Sequence, residues 1–171
     1  MHPLTEKQIR ASFVNASRRE AAQAALPVLS ELDWDRLDYL GWRDRKAPLL
    51  AYAVVPGTAP DDGPTGVLLR ATDPAGRVRR TGVCAWCEDV VNTEDISLYV
   101  ARRAGAPGRR GDTVGTLVCT EFACSRNVRR RPTLAETGRD DPDLRAAVIE
   151  RRIEGLRERS ARFVAEVLRE V

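Results

Sequence analysis

Cys84-Ala-Trp-Cys87 and Cys119-Thr-Glu-Phe-Ala-Cys124 contain every cysteine of this chain. Two thiolates in a C-x-x-C spacing can approach one metal ion from a tight turn, and the second pair can do so from a turn that leads into a helix. Four soft thiolate ligands without an open coordination position are typical of a closed structural zinc site. The sequence therefore predicts one zinc ion bound by all four cysteines, with no catalytic role.

Three other interpretations of the cysteines are open. Disulfides need an oxidising compartment, but the chain shows no signal-peptide pattern and no apolar run long enough to span a membrane, so we expect a reducing cytoplasm and no membrane partner. A thioredoxin-like redox pair would use one C-x-x-C beside a βαβ pattern and would not need the second pair. Four unrelated buried cysteines are the simplest alternative. The paired spacing favours the metal site.

Composition and charge distribution indicate a globular protein with two unlike halves. The chain has 171 residues, of which 43% are hydrophobic and 31% charged, enough for one domain with a core or for a small domain plus an appendage. Residues 29–64 are net acidic. Residues 95–131 are net basic because they contain three acidic residues and eight arginines. The arginines are Arg102, Arg103, Arg109, Arg110, Arg126, Arg129, Arg130 and Arg131.

Two short helices are predicted at the start of the chain. Thr5 with Gln8, and Ser17 with Glu20, match the capping-box pattern. After the first box, Ile9, Phe13 and Val14 form an apolar stripe at helical spacing, and the second helix should cover residues 18–25 before Pro27. Helices this short are unstable alone, so we expect them to lie on a sheet.

The middle of the chain predicts a small antiparallel sheet. Residues 39–42 and 49–55 are rich in strand-forming residues and are separated by a charged turn, which indicates a hairpin. A loop at 56–64, a strand at 65–71 and a turn at 73–76 then lead through 77–83 to the first cysteine pair. Strands at 96–101 and 113–118 should form a second hairpin, joined by a glycine-rich linker at 102–112.

A helix is then predicted at residues 122–131, with Cys124 in or near its first turn and Pro132 ending it. A metal-binding turn, a hairpin and a helix with ligands at its start form the layout of a treble-clef zinc finger, here residues 82–131. A polar linker at 132–141 follows, and Asp141-Pro142 marks the start of a long amphipathic helix at 142–171. The predicted fold is therefore α+β: short N-terminal helices on a small antiparallel sheet, the four-cysteine finger, and the C-terminal helix.

The order of short motifs along the chain resembles one protein family. They are Gly41-Trp42, Gly82-Val83-Cys84-x-x-Cys87, Ser97-Leu98-Tyr99-Val100, Gly111-Asp112, Val118-Cys119 and Cys124. This order is similar to the C-terminal treble-clef domain of FusB-type fusidic-acid resistance proteins and their FBP-domain relatives, in particular short actinobacterial members. The resemblance covers about residues 1–131 and makes them one predicted domain.

The resemblance implies a non-enzymatic, ribosome-associated function. FusB-type proteins bind elongation factor G and help to free it from a ribosome on which fusidic acid has stalled it. In the family one zinc ion is held by four ligands, which fall here on the four cysteines. Aromatic residues that contact the elongation factor correspond here to Val83 and Leu117, and neither is aromatic.

Enzymatic activity and a small-molecule substrate are not expected from the residues themselves. His2 is the only histidine, so no Ser-His-Asp set can be built, and residues 105–111 lack the Lys-Ser/Thr ending of a phosphate-binding loop. Two functions stay open. The finger is either a protein-binding module for a translation factor, or it binds rRNA or the ribosome through its arginines, with Trp86 and Tyr99 available for base stacking.

Overall fold

The computed structural model describes residues 1–57, 62–72, 82–90 and 95–169. Its centre is a five-stranded antiparallel sheet in which each strand lies beside the next one along the chain. The strands are β1 (Leu40–Arg43), β2 (Leu50–Val55), β3 (Thr65–Ala71), β4 (Ile96–Arg102) and β5 (Thr113–Cys119). Both predicted hairpins are confirmed, and so is the α+β class.

The register of the strands sorts the apolar side chains onto two faces, because successive residues of a strand point to opposite sides. Trp42 pairs with Tyr52, which pairs with Leu68, and these residues define what we call the N face. Ala53 pairs with Val67 on the opposite side, which we call the C face. All five residues are buried, so the sheet lies between two covering layers.

The N face is covered by the first helices, α1 (Glu6–Ser12) and α2 (Arg18–Gln23). Both predicted capping boxes are present, with Thr5 and Gln8 at α1 and with Ser17 and Glu20 at α2. Ile9 of α1 is fully buried in the cluster that contains the N-face residues. Helices of this length have too few internal hydrogen bonds to be stable alone, so packing on the sheet stabilises them, as expected.

Both helices end earlier than predicted. The helical stripe that was expected to reach Val14 is interrupted, since α1 stops at Ser12 and the Val14 N–H donates to the Gly66 carbonyl of β3 at 2.9 Å. Only glycine fits there, because a Cβ on residue 66 would lie 2.5 Å from the Ser12 hydroxyl oxygen. The second helix ends before Ala25, whose N–H donates to the Asp44 carboxylate at 3.3 Å.

The connection between β4 and β5 contains a short helix, α3 (Gly105–Arg110), where the sequence predicted only a glycine-rich linker. Gly111 ends α3 with φ of 102°, a left-handed conformation that glycine adopts readily. The predicted turn at 73–76, most of the segment at 77–83 and part of the loop at 56–64 lie outside the described residues.

The helix that follows the second cysteine pair is shorter than predicted. It is α4 (Cys124–Val128) rather than residues 122–131. Phe122 has φ of 55°, which no right-handed helix allows. At the other end, the Arg129 side chain is held by Asp38 near β1. The prediction that Cys124 lies in the first turn of this helix is confirmed.

The C face is covered by the long helix α6 (Pro142–Leu168), which begins where Asp141-Pro142 predicted. The Asp141 carboxylate caps it by accepting from the N–H groups of Asp143 and Leu144. Its buried residues are Val148, Ile153, Leu156, Ser160, Phe163, Val164 and Val167. Full burial of a leucine or valine contributes about 1.5–3 kcal/mol, so α6 is part of the core.

Before α6, the predicted linker at 132–141 contains a one-turn helix, α5 (Leu134–Thr137). The predicted domain boundaries at residues 131 and 141 stay predictions, although helix and sheet share one hydrophobic cluster. None of the helices in the described part of the chain is both long enough and apolar enough to cross a membrane.

Candidate metal centre

The four cysteines meet in one buried cluster. Their Sγ atoms all lie within 4.8 Å of one another, with separations of 3.6 Å between Cys84 and Cys124 and 3.7 Å between Cys87 and Cys119. Four sulfurs at zinc–thiolate bond length, about 2.3 Å from a common centre, would form a tetrahedron with edges of about 3.8 Å. The cluster therefore has the size that a tetrahedral metal ion requires.

The first pair is presented by a tight turn. Backbone N–H groups of Trp86 and Cys87 donate to the Cys84 sulfur at 3.4 Å, and the Glu88 N–H donates to the Cys84 carbonyl at 2.9 Å. Glu88 has φ of 52°, a left-handed conformation that costs a residue other than glycine on the order of 1 kcal/mol. We call residues 84–88 the first knuckle.

The second pair joins a strand to a helix. Cys119 is the last residue of β5, and the Phe122 N–H donates back to its carbonyl at 2.9 Å. The left-handed Phe122 then turns the chain so that Cys124 begins α4. From the same helix, the Asn127 amide donates to the Cys119 sulfur at 3.4 Å. Donors of this kind stabilise a thiolate and orient it toward a metal.

The chemistry of the four thiols suits metal binding. Their separations are far longer than the roughly 2.05 Å of a disulfide. A hydrogen bond with Cys119 lowers the pKa of the Cys84 thiol, whereas the hydrogen bond with Cys119 raises the pKa of Cys124, so the protons belong to the cluster as a whole. Four soft, buried ligands at tetrahedral spacing fit zinc, and they leave no position for a substrate.

The sequence also matches the model of a known protein family over most of its length. The model of the FBP C-terminal treble-clef zinc-finger family matches residues 8–167. The chain belongs to this family. The resemblance inferred from the motifs is thereby confirmed, and the match extends beyond residue 131 to nearly the end of α6.

Among solved structures, the FBP-family chain is similar to the fusidic acid resistance protein FusC. The TM-score is 0.55 at 19% sequence identity, and the similarity covers 74% of this chain and 53% of FusC. At this identity the likeness concerns the fold, and the chain spans about half the length of FusC. No curated protein matches the sequence.

Aromatic residues surround the treble clef from inside the core. The ring of Trp86 lies 5.0 Å from that of Tyr39 and 5.6 Å from that of Phe163. Burial, and then the neighbouring Cys124 sulfur, raise the pKa of the Tyr39 hydroxyl well above its ordinary value, so it stays neutral. Trp86 and Tyr99 are 1% and 0% exposed. The expectation that these two residues are available for base stacking is therefore wrong.

Val83 and Leu117, the two residues expected to contact the elongation factor, are exposed and lie on adjoining segments. Val83 is 48% and Leu117 is 37% exposed. The Ala85 N–H donates to the Leu117 carbonyl at 2.8 Å, which holds the first knuckle, directly after Val83, against β5. The structure thus brings together two positions that are far apart in the sequence.

The six arginines predicted as a binding surface differ in exposure and in ion pairing, and their role in binding stays a prediction. Arg102, Arg109 and Arg110 are exposed around the end of the β4–β5 hairpin, where Arg110 lies 3.6 Å from the Asp112 carboxylate. The other three pair with carboxylates of the same chain: Arg103 with Glu166 at 2.7 Å, Arg130 with Asp89 at 3.2 Å, and Arg129 with the buried Asp38. Their first role is to hold the fold together.

Sequence reasoning missed several residues that support the treble clef. Asn127 lies one helical turn after Cys124, and this spacing would have placed it near the ligands. Asp38 and Arg159 carry no comparable signal. Arg159 reaches the first knuckle from α6, where it contacts Trp86 and Glu88, and the sequence separation hides that relationship.

Proposed function

We propose that this chain is a non-enzymatic, zinc-binding cytoplasmic protein that binds elongation factor G through its treble clef and the adjoining surface. The match to the treble-clef family supports the proposal, together with a closed cluster of four buried thiols. A metal without an open position acts as a structural support. The exterior of the finger is then left for recognition, and binding would help to free the factor from a ribosome stalled by fusidic acid.

Val83 and Leu117 are the proposed centre of the contact. Their exposure supports this role, and so does the hydrogen bond that fixes the two segments side by side. Aliphatic side chains bury less area than the aromatic residues that usually dominate such interfaces. We therefore expect weaker binding than aromatic residues at the same positions would provide.

Isothermal titration calorimetry with zinc-loaded protein and elongation factor G from the same source tests the proposal. We expect saturable binding that Leu117→Asp abolishes, because a carboxylate would have to be desolvated at the contact. Leu134→Asp is the matched control, since Leu134 is 64% exposed on α5. Absence of heat and of any complex at high micromolar concentration would contradict the proposal.

Binding to rRNA or the ribosome is the second candidate. It is favoured by Arg102 and Arg109, which are exposed and have no ion-pair partner among the described residues. Such binding would neutralise phosphates, so affinity should fall steeply with salt, and each arginine replaced by alanine should reduce the salt slope by about 1. Arg139→Ala, at a site 74% exposed near α5, is the control. Binding that ignores salt would exclude this candidate.

A further inference from the structure

Helix α6 contacts the first knuckle through two residues one turn apart. Phe163 packs its ring 5.6 Å from that of Trp86, and the Arg159 Nε–H donates to the Trp86 carbonyl at 2.7 Å. Residues four positions apart lie on the same side of a helix. The knuckle is therefore held by both the backbone and the side chain of Trp86.

The carbonyl that Arg159 binds belongs to the peptide unit that also contains the Cys87 N–H. In a planar trans peptide the C=O and the N–H point in opposite directions. Fixing the Trp86 oxygen toward α6 therefore aims the Cys87 N–H at the Cys84 sulfur, to which it donates at 3.4 Å. Arg159 thus acts on one cysteine's hydrogen bond without touching any sulfur.

The same guanidinium holds the residue on the other side of Cys87. Its NH1 group lies 2.9 Å from the Glu88 carboxylate, and the Arg159 side chain is only 22% exposed. Glu88 is the residue in the left-handed conformation. Arg159 contacts the residues before and after Cys87, and so restrains the turn that presents Cys84 and Cys87 together.

We propose that Arg159 is a positioning residue of the metal centre, and that docking of α6 is energetically coupled to metal binding. This inference rests on the zinc binding proposed above. Coupling between two events is reciprocal. A loss of the Arg159 contacts weakens zinc binding, and removal of zinc loosens α6. The C-terminal helix then positions the turn that carries two metal ligands, although it supplies no ligand itself.

Zinc affinity of the full chain, measured by competition with a chromogenic chelator, tests the proposal. Arg159→Ala should weaken zinc binding by about 10- to 100-fold, as loss of a group that orients metal ligands usually does, while Arg162→Ala should stay within about twofold of wild type. Arg162 is exposed on the same helix. The control therefore matches the change in charge and in helix propensity, and circular dichroism verifies that both variants are folded.

Two further variants decide the question if Arg159→Ala does not fold. Arg159→Lys keeps the charge but loses the paired donors, and Glu88→Gln removes only the ion pair. Both should weaken zinc binding more than Arg162→Ala does. Hydrogen exchange of the α6 amides should also accelerate when zinc is removed from wild type.

The outcomes separate the two proposals. Stoichiometric zinc in wild type with equal affinity in the Arg159 and Arg162 variants overturns the coupling and leaves the zinc site intact. If Arg159→Ala is unfolded, equal zinc affinity of Arg159→Lys, Glu88→Gln and Arg162→Ala likewise overturns the coupling. Wild type without stoichiometric zinc overturns both the zinc site and the role of Arg159.

Discussion

Asp38 and Arg129 are 91 positions apart in the chain, yet the Arg129 NH2 group donates a hydrogen bond of 3.1 Å to the Asp38 carboxylate. The Asp38 side chain is completely buried. Arg157 of α6 donates to the same carboxylate at 3.1 Å, and the Ser125 hydroxyl accepts from the Asp38 N–H at 3.0 Å. Asp38 thus connects the segment before β1 with α4, with the residue that follows α4, and with α6.

Asp38→Asn should strongly destabilise the protein. The substitution removes the negative charge and leaves two guanidinium groups without it, and breaking one side of a buried ion pair costs about 3 kcal/mol or more. Urea unfolding at neutral pH measures the loss. Asp35→Asn is the control, because Asp35 is exposed three positions earlier, and it should change the free energy of unfolding by less than about 0.5 kcal/mol. Equal effects of the two substitutions would contradict the role of Asp38.

The Glu136 carboxylate should stabilise the protein in a pH-dependent way. Burial raises its pKa, but hydrogen bonds from the Thr133 backbone and from Arg152 outweigh burial and lower the pKa to about 2 from the usual 4.5. A carboxyl with a depressed pKa in the folded state stabilises above its unfolded pKa, and this contribution disappears as the pH falls from the unfolded to the folded value.

Glu136→Gln should therefore lower the free energy of unfolding by about 1 kcal/mol at pH 7, since the ion pairs of Glu136 are partly screened by solvent. The difference from wild type should vanish as the pH falls from the unfolded to the folded pKa. Urea unfolding of both proteins over this range measures it. Any loss of metal in acid affects both proteins alike, so the difference between their free energies of unfolding reports the contribution of the Glu136 carboxylate alone. A difference that persists below the folded pKa would argue against the ion pairs with Arg152 and Arg130.

Metal analysis should find one zinc ion per folded chain, and Cys119→Ser should remove it. Cys119 is 4% exposed and shares the core cluster with the C face of the sheet, so loss of the metal should unfold the finger and lower the melting temperature. The same loss should follow when a strong chelator strips wild type, because metal binding is coupled to folding. Wild type that keeps its melting temperature after complete zinc removal would show that the cluster folds without metal.

Aromatic residues at the proposed contact should strengthen binding to elongation factor G. Val83→Phe combined with Leu117→Tyr enlarges two exposed side chains on adjoining segments, and aromatic residues are enriched among those that dominate binding energy. Calorimetry should show a lower dissociation constant, mainly through slower dissociation. Val28→Phe, at a site 52% exposed, controls for added surface hydrophobicity. A double variant no tighter than this control would place the contact elsewhere.

The candidate metal centre was predictable because local sequence encodes its parts. Cys84 and Cys87 are close enough along the chain to share one turn, and the second pair spans a strand end and a helix start. The capping residues Thr5 and Ser17 mark helix starts for the same reason, since their hydrogen bonds reach only three residues ahead. Patterns of this range need no knowledge of the rest of the fold.

Sequence patterns identified the two cysteine pairs, the two hairpins and the start of the long amphipathic helix, because spacing and periodicity act over a few residues. Which charged side chains form ion pairs within the chain depends on how the elements pack together. Arg129 and Arg102 look alike in the sequence, but Arg129 meets a buried carboxylate and Arg102 is exposed. The burial of Trp86 and the contact of Arg159 with the first knuckle likewise depend on where α6 packs, because burial and ion pairing are set by neighbours distant in the chain.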